Sequence, residues 1–334
     1  MNWRRFFRPR PKIALYWCSG CGGCEESVFD LAEALPDLPR KTSLVFWPAA
    51  LDFRVADLEA LPDRSIAAAF INGAVRTDDH VRMARLLRSK SRRVIAHGAC
   101  AHLGGVLGLA NLADFDTLLR TAFIDAPTVK NPECILPTTR SEIDGEFVRL
   151  PRLEPRLRAL DQVIAVDHYI PGCPPTPEMM RTALTAAIEG TLSKMPAVFA
   201  DEQALCRSCP RRETRSETVR IRRFRRLYEQ LWDPERCFLD QGLVCLGPAT
   251  RGGCGARCIA ANMPCRGCFG PPGNDKDPGA AVLSLLASVM GGENENEIRE
   301  AARTLPDPAG LIYRYGMAVS VVMGGKGNDP SDSH

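Results

Sequence analysis

Between residue 12 and about residue 195, short apolar runs alternate with stretches in which apolar positions recur every three or four residues. The runs Ile13–Trp17, Ser43–Trp47, Ile66–Ile71, Arg93–Ala96 and Val163–Val166 are short and apolar, and they predict strands. The periodic stretches Glu26–Leu35, Asp78–Lys90 and Pro177–Gly190 predict helices. Thr77-Asp78-Asp79 and Thr176-Pro177-Glu178 place a capping hydroxyl and an early acid where two of these helices begin. Regular strand–helix alternation predicts an α/β fold, a doubly wound parallel sheet with helices on both faces. Neither a phosphate-binding loop nor a dinucleotide fingerprint interrupts it.

After about residue 196 the periodicity fades. Gly, Pro and Cys become frequent and apolar patterns shorten. Residues 196–324 therefore predict an irregular, cysteine-rich second domain, too poor in core residues to hold together without bound metal. The basic run Arg211–Arg226 predicts a solvated helix face, and the polar tail 325–334 predicts disorder.

Composition narrows the class. With 334 residues, 45% hydrophobic and 25% charged, the chain is of ordinary globular make-up, and its net charge of +3 gives no reason to expect nucleic acid. The longest apolar run, Ala280–Met290, is too short to span a bilayer, so no membrane insertion is expected. Trp3-Arg4-Arg5-Phe6-Phe7 is similar to a twin-arginine signal, but the first strand follows at once where such a signal needs an apolar segment. The expected compartment is the reducing cytoplasm, where fourteen cysteines imply metal before disulfide.

The cysteines fall after predicted strands and in pairs. Cys18, Cys21 and Cys24 lie in a glycine-rich loop between the first strand and the first helix. Cys100 and Cys173 follow two further strands, in Gly98-Ala-Cys100-Ala-His-Leu-Gly-Gly105 and Pro171-Gly-Cys173-Pro-Pro175. In an open α/β sheet such loops meet at the carboxyl edge, where ligands bind. Cys21, Cys24, Cys100 and Cys173 give the four thiolates a cubane iron–sulfur cluster needs, although spacing alone also permits Cys18 with Cys21. In the second half, Cys206, Cys209, Cys237 and Cys245 make one plausible set, and Cys254, Cys258, Cys265 and Cys268 another. Paired C-x2-C spacings also build structural zinc sites, so a zinc-stabilised interaction protein is the alternative from another class. His97, His102 and His168 flank these loops as structural histidines, and Glu25 and Glu26 read as helix-start caps.

These motifs resemble the nickel–iron hydrogenase small-subunit family. Cys21-Gly-Gly-Cys24-Glu-Glu-Ser27 and the loops around Cys100 and Cys173 match its three proximal-cluster motifs. Cys237 to Cys245, then Leu246-Gly-Pro-Ala-Thr250, Cys254 and Cys265-Arg-Gly-Cys268, match its distal and medial region. Phe46-Trp-Pro48, Asn72-Gly-Ala-Val-Arg76 and Asn262-Met-Pro264 are similar to the cytoplasmic, methyl-viologen-reducing type. The resemblance spans about Lys12 to Pro271. It implies a flavodoxin-like domain over 12–195 and three 4Fe–4S clusters. The proximal cluster would be held by Cys21, Cys24, Cys100 and Cys173, the distal by Cys206, Cys209, Cys237 and Cys245, and the medial by Cys254, Cys258, Cys265 and Cys268. Cys206 stands where the periplasmic type has a histidine ligand, and Cys258 where it has a proline beside a three-iron cluster. Cys18 and Cys134 match no family role and are expected to be buried or half-buried thiols. The implied partners are a large subunit with the nickel–iron centre, then a 2Fe–2S protein and heterodisulfide reductase. Quinone-reductase and formate-lyase subunits of the superfamily typically carry only the proximal set, so the second-half cysteines argue against that rival.

Overall fold

A computed structural model describes residues 10–273 and 277–323. Its strands are β1 (Lys12–Trp17), β2 (Ser43–Phe46), β3 (Ile66–Asn72), β4 (Val75–Thr77), β5 (Ser91–His97), β6 (Arg140–Ile143), β7 (Glu146–Arg149), β8 (Leu153–Arg158), β9 (His168–Ile170) and β10 (Ala197–Val198). The α-helices are α1 (Gly23–Phe29), α2 (Leu38–Lys41), α3 (Val55–Glu59), α4 (Asp78–Lys90), α5 (Ala99–Leu103), α6 (Phe115–Arg120), α7 (Pro177–Glu189), α8 (Arg257–Ala260), α9 (Pro278–Val289), α10 (Glu295–Arg303) and α11 (Pro308–Tyr313).

Six strands form one parallel sheet in the order β10-β9-β5-β3-β1-β2. The order reverses beside β1, as in the flavodoxin-like doubly wound fold, and such a reversal opens a crevice at the carboxyl edge. One face buries Leu15, Phe70 and Ile95 under Val28 of α1 and Met180 and Ala183 of α7. The other buries Ile71, Val94 and Ala96 under Met83 and Leu87 of α4. Each buried Ile, Leu or Phe contributes about 2 kcal/mol, so the sheet under the first cysteine loops carries an apolar core on both faces.

Helix α4 begins at Thr77, whose hydroxyl accepts from the His80 amide, and α7 begins at Thr176, which accepts from Met179. Both match the expected starts. Gly190 ends α7 in the left-handed region at φ 71°.

Three expectations are corrected. Val163–Val166 is not a strand: it follows a turn at Leu160–Gln162, and its apolar side chains pack beneath the sheet without a ladder. The strand starts after Asp167, whose carboxylate accepts from the Val94 amide and from Arg88. The helix expected over Glu26–Leu35 stops at Phe29 and resumes as a 3-10 turn, Ala32–Asp37, with Pro36 inside it. Ala32 takes a positive φ of 46°, outside the right-handed helical region, so the α-helix does not run on.

The third correction concerns the second half. It has an apolar core of its own, built from Val282, Leu285, Leu286 and Val289 of α9 against Leu205, Ile221, Phe224, Phe238 and Leu246. The basic run within it is not a helix. After a single turn at Arg212–Thr214 it is irregular, with Val219, Ile221 and Phe224 buried and the intervening arginines outside. The chain then returns to the sheet: Ala318 packs on Ala74 and Leu157, and Gln162 Nε2 donates to the Ala318 carbonyl at 2.9 Å. The expected tail 325–334 lies outside the described residues. Among the described residues no helix is long and apolar enough to cross a membrane.

Candidate metal centres

The first cysteine set stands on the sheet's carboxyl edge. Cys21 and Cys24 follow β1, Cys100 lies three residues beyond β5, and Cys173 three beyond β9. Backbone bonds lock the last two loops together, Gly98 N to Ile170 O at 2.8 Å and Ala99 N to Gly172 O at 2.7 Å. Gly98 adopts φ 88°, and a Cβ there would overlap the Cys24 sulfur. A Cβ at Gly105 would overlap the Cys100 sulfur. Both positions therefore form a cradle that only glycine leaves open.

The thiols of this set act on one another. Burial and then Cys100, Cys173 and Cys21 push the Cys24 thiol up. Burial, Cys173 and Cys21 push Cys100 up to about 12. Cys173 rises through burial and Cys21, while a hydrogen bond from Tyr315 draws it back. Buried like groups of this kind ionise together only when a cation compensates them, as in thiolate–metal bonding.

The second set is held by loops. Cys206 lies in the turn Leu205–Ser208, and the Leu205 amide donates to Thr250 O at 2.7 Å. The Cys206 and Cys245 sulfurs lie 3.2 and 3.7 Å from the Cβ position of Gly247. Burial, then Cys245, pushes Cys206 up to about 12, with Cys209 and Cys237 adding to the rise and Arg215 opposing it. Cys245 rises to about 11 through burial, offset by the Gly247 and Cys265 amides.

In the third set, Cys258 lies in α8 beside Cys254. Burial, Cys258, Cys173 and Cys254 push Cys268 up to about 12. Burial and Cys245 raise Cys265, whose amide donates to the Cys245 sulfur at 3.3 Å. The third set thus meets the second, where the Cys265 amide reaches the Cys245 sulfur, and lies near enough to the first for Cys173 to act on Cys268. Among the described residues, no three Cys, His, Asp or Glu side chains close on a point for a single metal ion. Gly98 and Gly105, where a Cβ would overlap the Cys24 and Cys100 sulfurs, leave beside those sulfurs the room that a bulky cluster needs.

The remaining expected residues divide. Cys18 is buried, as expected, and burial lifts its thiol to about 12. Cys134 is exposed, against expectation, at a positive φ of 53° in the loop before β6. His97 is fully buried and neutral, pushed down to about 4 by burial, with Nε2 3.0 Å from the Ser27 hydroxyl that donates to Cys24 O. His102 packs at a tilt against Tyr169, ring centroids 4.6 Å apart, and His168 meets the edge of Phe199. Glu25 does not cap α1. Its buried carboxylate accepts from Trp47 Nε1 and Asn72 Nδ2, each at 2.6 Å, tying α1 to the ends of β2 and β3.

Two further residues carry no motif in the sequence. Arg211 is 4% exposed and stacks 4.0 Å from the Phe238 ring. Its guanidinium donates to Asp233 O, Arg236 O, Ile259 O and Asn262 Oδ1, joining the loops of the second and third sets. Tyr315 reaches in from beyond α11 toward Cys173, close enough for it, Cys268 and Cys258 to act on one another. The long basic run hides its one buried member, Arg211, and nothing local marks Tyr315.

The comparisons with known proteins give the class first, an oxidoreductase subunit of the iron–sulfur, electron-transfer kind. Residues 21–187 match the family "NADH ubiquinone oxidoreductase, 20 Kd subunit". The chain is 35% identical over 315 residues to the iron-sulfur subunit of the F420-non-reducing hydrogenase of Archaeoglobus profundus, covering 93% of this chain and 97% of that one. It is 33% identical over 315 residues to the corresponding F420-non-reducing hydrogenase subunit of Methanothermobacter thermautotrophicus, covering 93% and 96%. The fold is also that of the recombinant [NiFeSe] hydrogenase of Desulfovibrio vulgaris Hildenborough, with a TM-score of 0.53 at 17% identity over 80% of this chain and 96% of that one. The chain belongs to the nickel–iron hydrogenase small-subunit family, in the branch of the F420-non-reducing hydrogenases.

Proposed function

We propose that this subunit carries electrons away from hydrogen oxidation through three 4Fe–4S clusters. Cys21, Cys24, Cys100 and Cys173 would hold the proximal cluster, Cys254, Cys258, Cys265 and Cys268 the medial, and Cys206, Cys209, Cys237 and Cys245 the distal. When bound, the clusters supply one-electron sites between a partner large subunit, where hydrogen is split at nickel and iron, and an acceptor. The observation that carries the reading is the join between the sets: the Cys265 amide donates to the Cys245 sulfur at 3.3 Å, and Cys268 lies near enough to Cys173 for the two to act on one another.

The chain's own residues set the environment. Cys245 and Cys265 are buried and Cys24 and Cys268 half-buried, which limits water at the sulfurs. The Cys265 amide donates to the Cys245 sulfur at one junction between sets, and the Tyr315 hydroxyl lies beside Cys173 at the other; hydrogen bonds to sulfur adjust reduction potential. In this reading the chain works in the cytoplasm. It divides into a proximal-cluster domain, 12–195, and a domain with the other two clusters, 196–324. A 2Fe–2S protein and a heterodisulfide reductase complex are the proposed acceptors. Metal and acid-labile sulfide analysis of anaerobically prepared protein tests the reading: about twelve irons and twelve sulfides per chain are expected, four of each per set. Zinc without labile sulfide would replace it with the zinc-stabilised alternative.

A further inference from the structure

Nine arginines and three glutamates lie between Leu205 and Glu229, a net of +6 within a chain whose total is +3. All the arginines but Arg211 are exposed. Burial of Val219, Ile221 and Phe224 turns the side chains between them outward, so the charge gathers on one face. Arg222 pairs with Glu293 and Arg223 with Glu229. Among the described residues Arg207, Arg212, Arg215, Arg220, Arg225 and Arg226 pair with no carboxylate. Several donate to neutral groups instead: Arg212 to Arg207 O, Arg220 to Ser288 O and Arg225 to Gln230 Oε1.

This face adjoins the second thiol set. Arg207 stands between Cys206 and Cys209, and the Arg212 amide donates to Cys209 O at 3.1 Å. Arg215 is close enough to act on both Cys206 and Cys237. Two apolar side chains stand out on the same stretch, Tyr228 at 81% and Leu231 at 99% exposure. An exposed aromatic and an exposed leucine beside a run of exposed arginines combine the apolar anchors and charged groups that protein interfaces use. Like charges packed this closely repel one another and steer only partners of opposite sign.

We infer that the arginine face beside Cys206, Cys209, Cys237 and Cys245 is the docking surface for an acidic one-electron carrier protein. The inference rests on the relay reading above and adds the chemistry of the acceptor. Guanidinium forks pair with the carrier's carboxylates, and Tyr228 and Leu231 seat against an apolar spot among them. Each carrier takes one electron, so two are reduced for each hydrogen molecule, whose two protons leave at the large subunit.

The test uses the whole anaerobic hydrogenase complex, with an acidic 2Fe–2S ferredoxin and a cationic cytochrome c as probes. Calorimetric titration with oxidised ferredoxin should give a Kd that rises about tenfold between low and physiological salt. The triple variant Arg212→Gln, Arg220→Gln, Arg225→Gln should weaken ferredoxin binding about tenfold and flatten its salt dependence. Hydrogen-dependent reduction of a neutral dye should not change. Ferredoxin binding that ignores both salt and the substitutions would overturn the inference, as would equal affinity for the cytochrome. Tighter binding to phosphatidylglycerol vesicles or duplex DNA than to ferredoxin would overturn it too. A complex without labile sulfide or dye reduction would instead sink the relay reading itself.

Discussion

In the sheet half, Cys24, Cys100 and Cys173 each follow a parallel strand within a few residues. The ladder that fixes β1, β5 and β9 therefore also fixes their sulfurs. In the cysteine-rich half no ladder does this. Cys206, Cys237, Cys245 and Cys265 ride on loops, and what gathers them is an apolar core under α9 and the buried guanidinium of Arg211. One half presents its ligands from a scaffold that stands without them. The other builds scaffold and ligands together, so metal and fold should be coupled there.

The largest expected effect breaks that symmetry directly. Anaerobic chelation should leave amide-exchange protection in β3 and β5 intact while residues 205–268 lose protection by about a hundredfold or more. Equal loss in both halves would mean that the sheet also depends on its metal. Next comes Arg211→Met. It strips several carbonyls of their donor and should cost about 3 kcal/mol, with iron lost from the second and third sets and kept in the first. Iron loss confined to the first set would remove Arg211 from the account.

Gly98→Ala is the reciprocal change. A Cβ at φ 88° strains the backbone and meets the Cys24 sulfur, a combined cost of about 2 kcal/mol or more. It should empty the first set alone, dropping iron by about a third with sheet circular dichroism unchanged. The smallest effect is Tyr315→Phe. Losing a donor to the Cys173 sulfur should lower the potential of the proximal site without loss of iron. A redox titration showing no shift would leave Tyr315 a packing residue.

The contrast also explains what could be read from the chain. Strands β1, β3 and β5 and helices α4 and α7 announce themselves through apolar runs and Thr caps, because local pattern and global fold agree there. The twelve cysteines stand out through spacing. Val163–Val166 misleads because an apolar run is buried equally well with or without a ladder. Arg211 looks like its solvated neighbours because its burial is set by Phe238, Ile259 and Asn262, up to about fifty positions along the chain. The second half's core is hidden for the same reason: Ile221 and Phe224 sit among arginines, and their partners in α9 lie some sixty residues away. Tyr315 and Ala318 reach the sheet half only through the return of the chain after α11.

The central claim is that the third set stands between the other two. It is tested most directly by a Cys268→Ala variant in the complex with its large subunit, exposed to hydrogen and freeze-quenched for electron paramagnetic resonance. The account predicts that the proximal site is reduced at the normal rate while the site at Cys206, Cys209, Cys237 and Cys245 stays oxidised. Reduction of that distal site at the unmodified rate would show that electrons bypass the third set, and would contradict the order Cys173, Cys268, Cys265, Cys245.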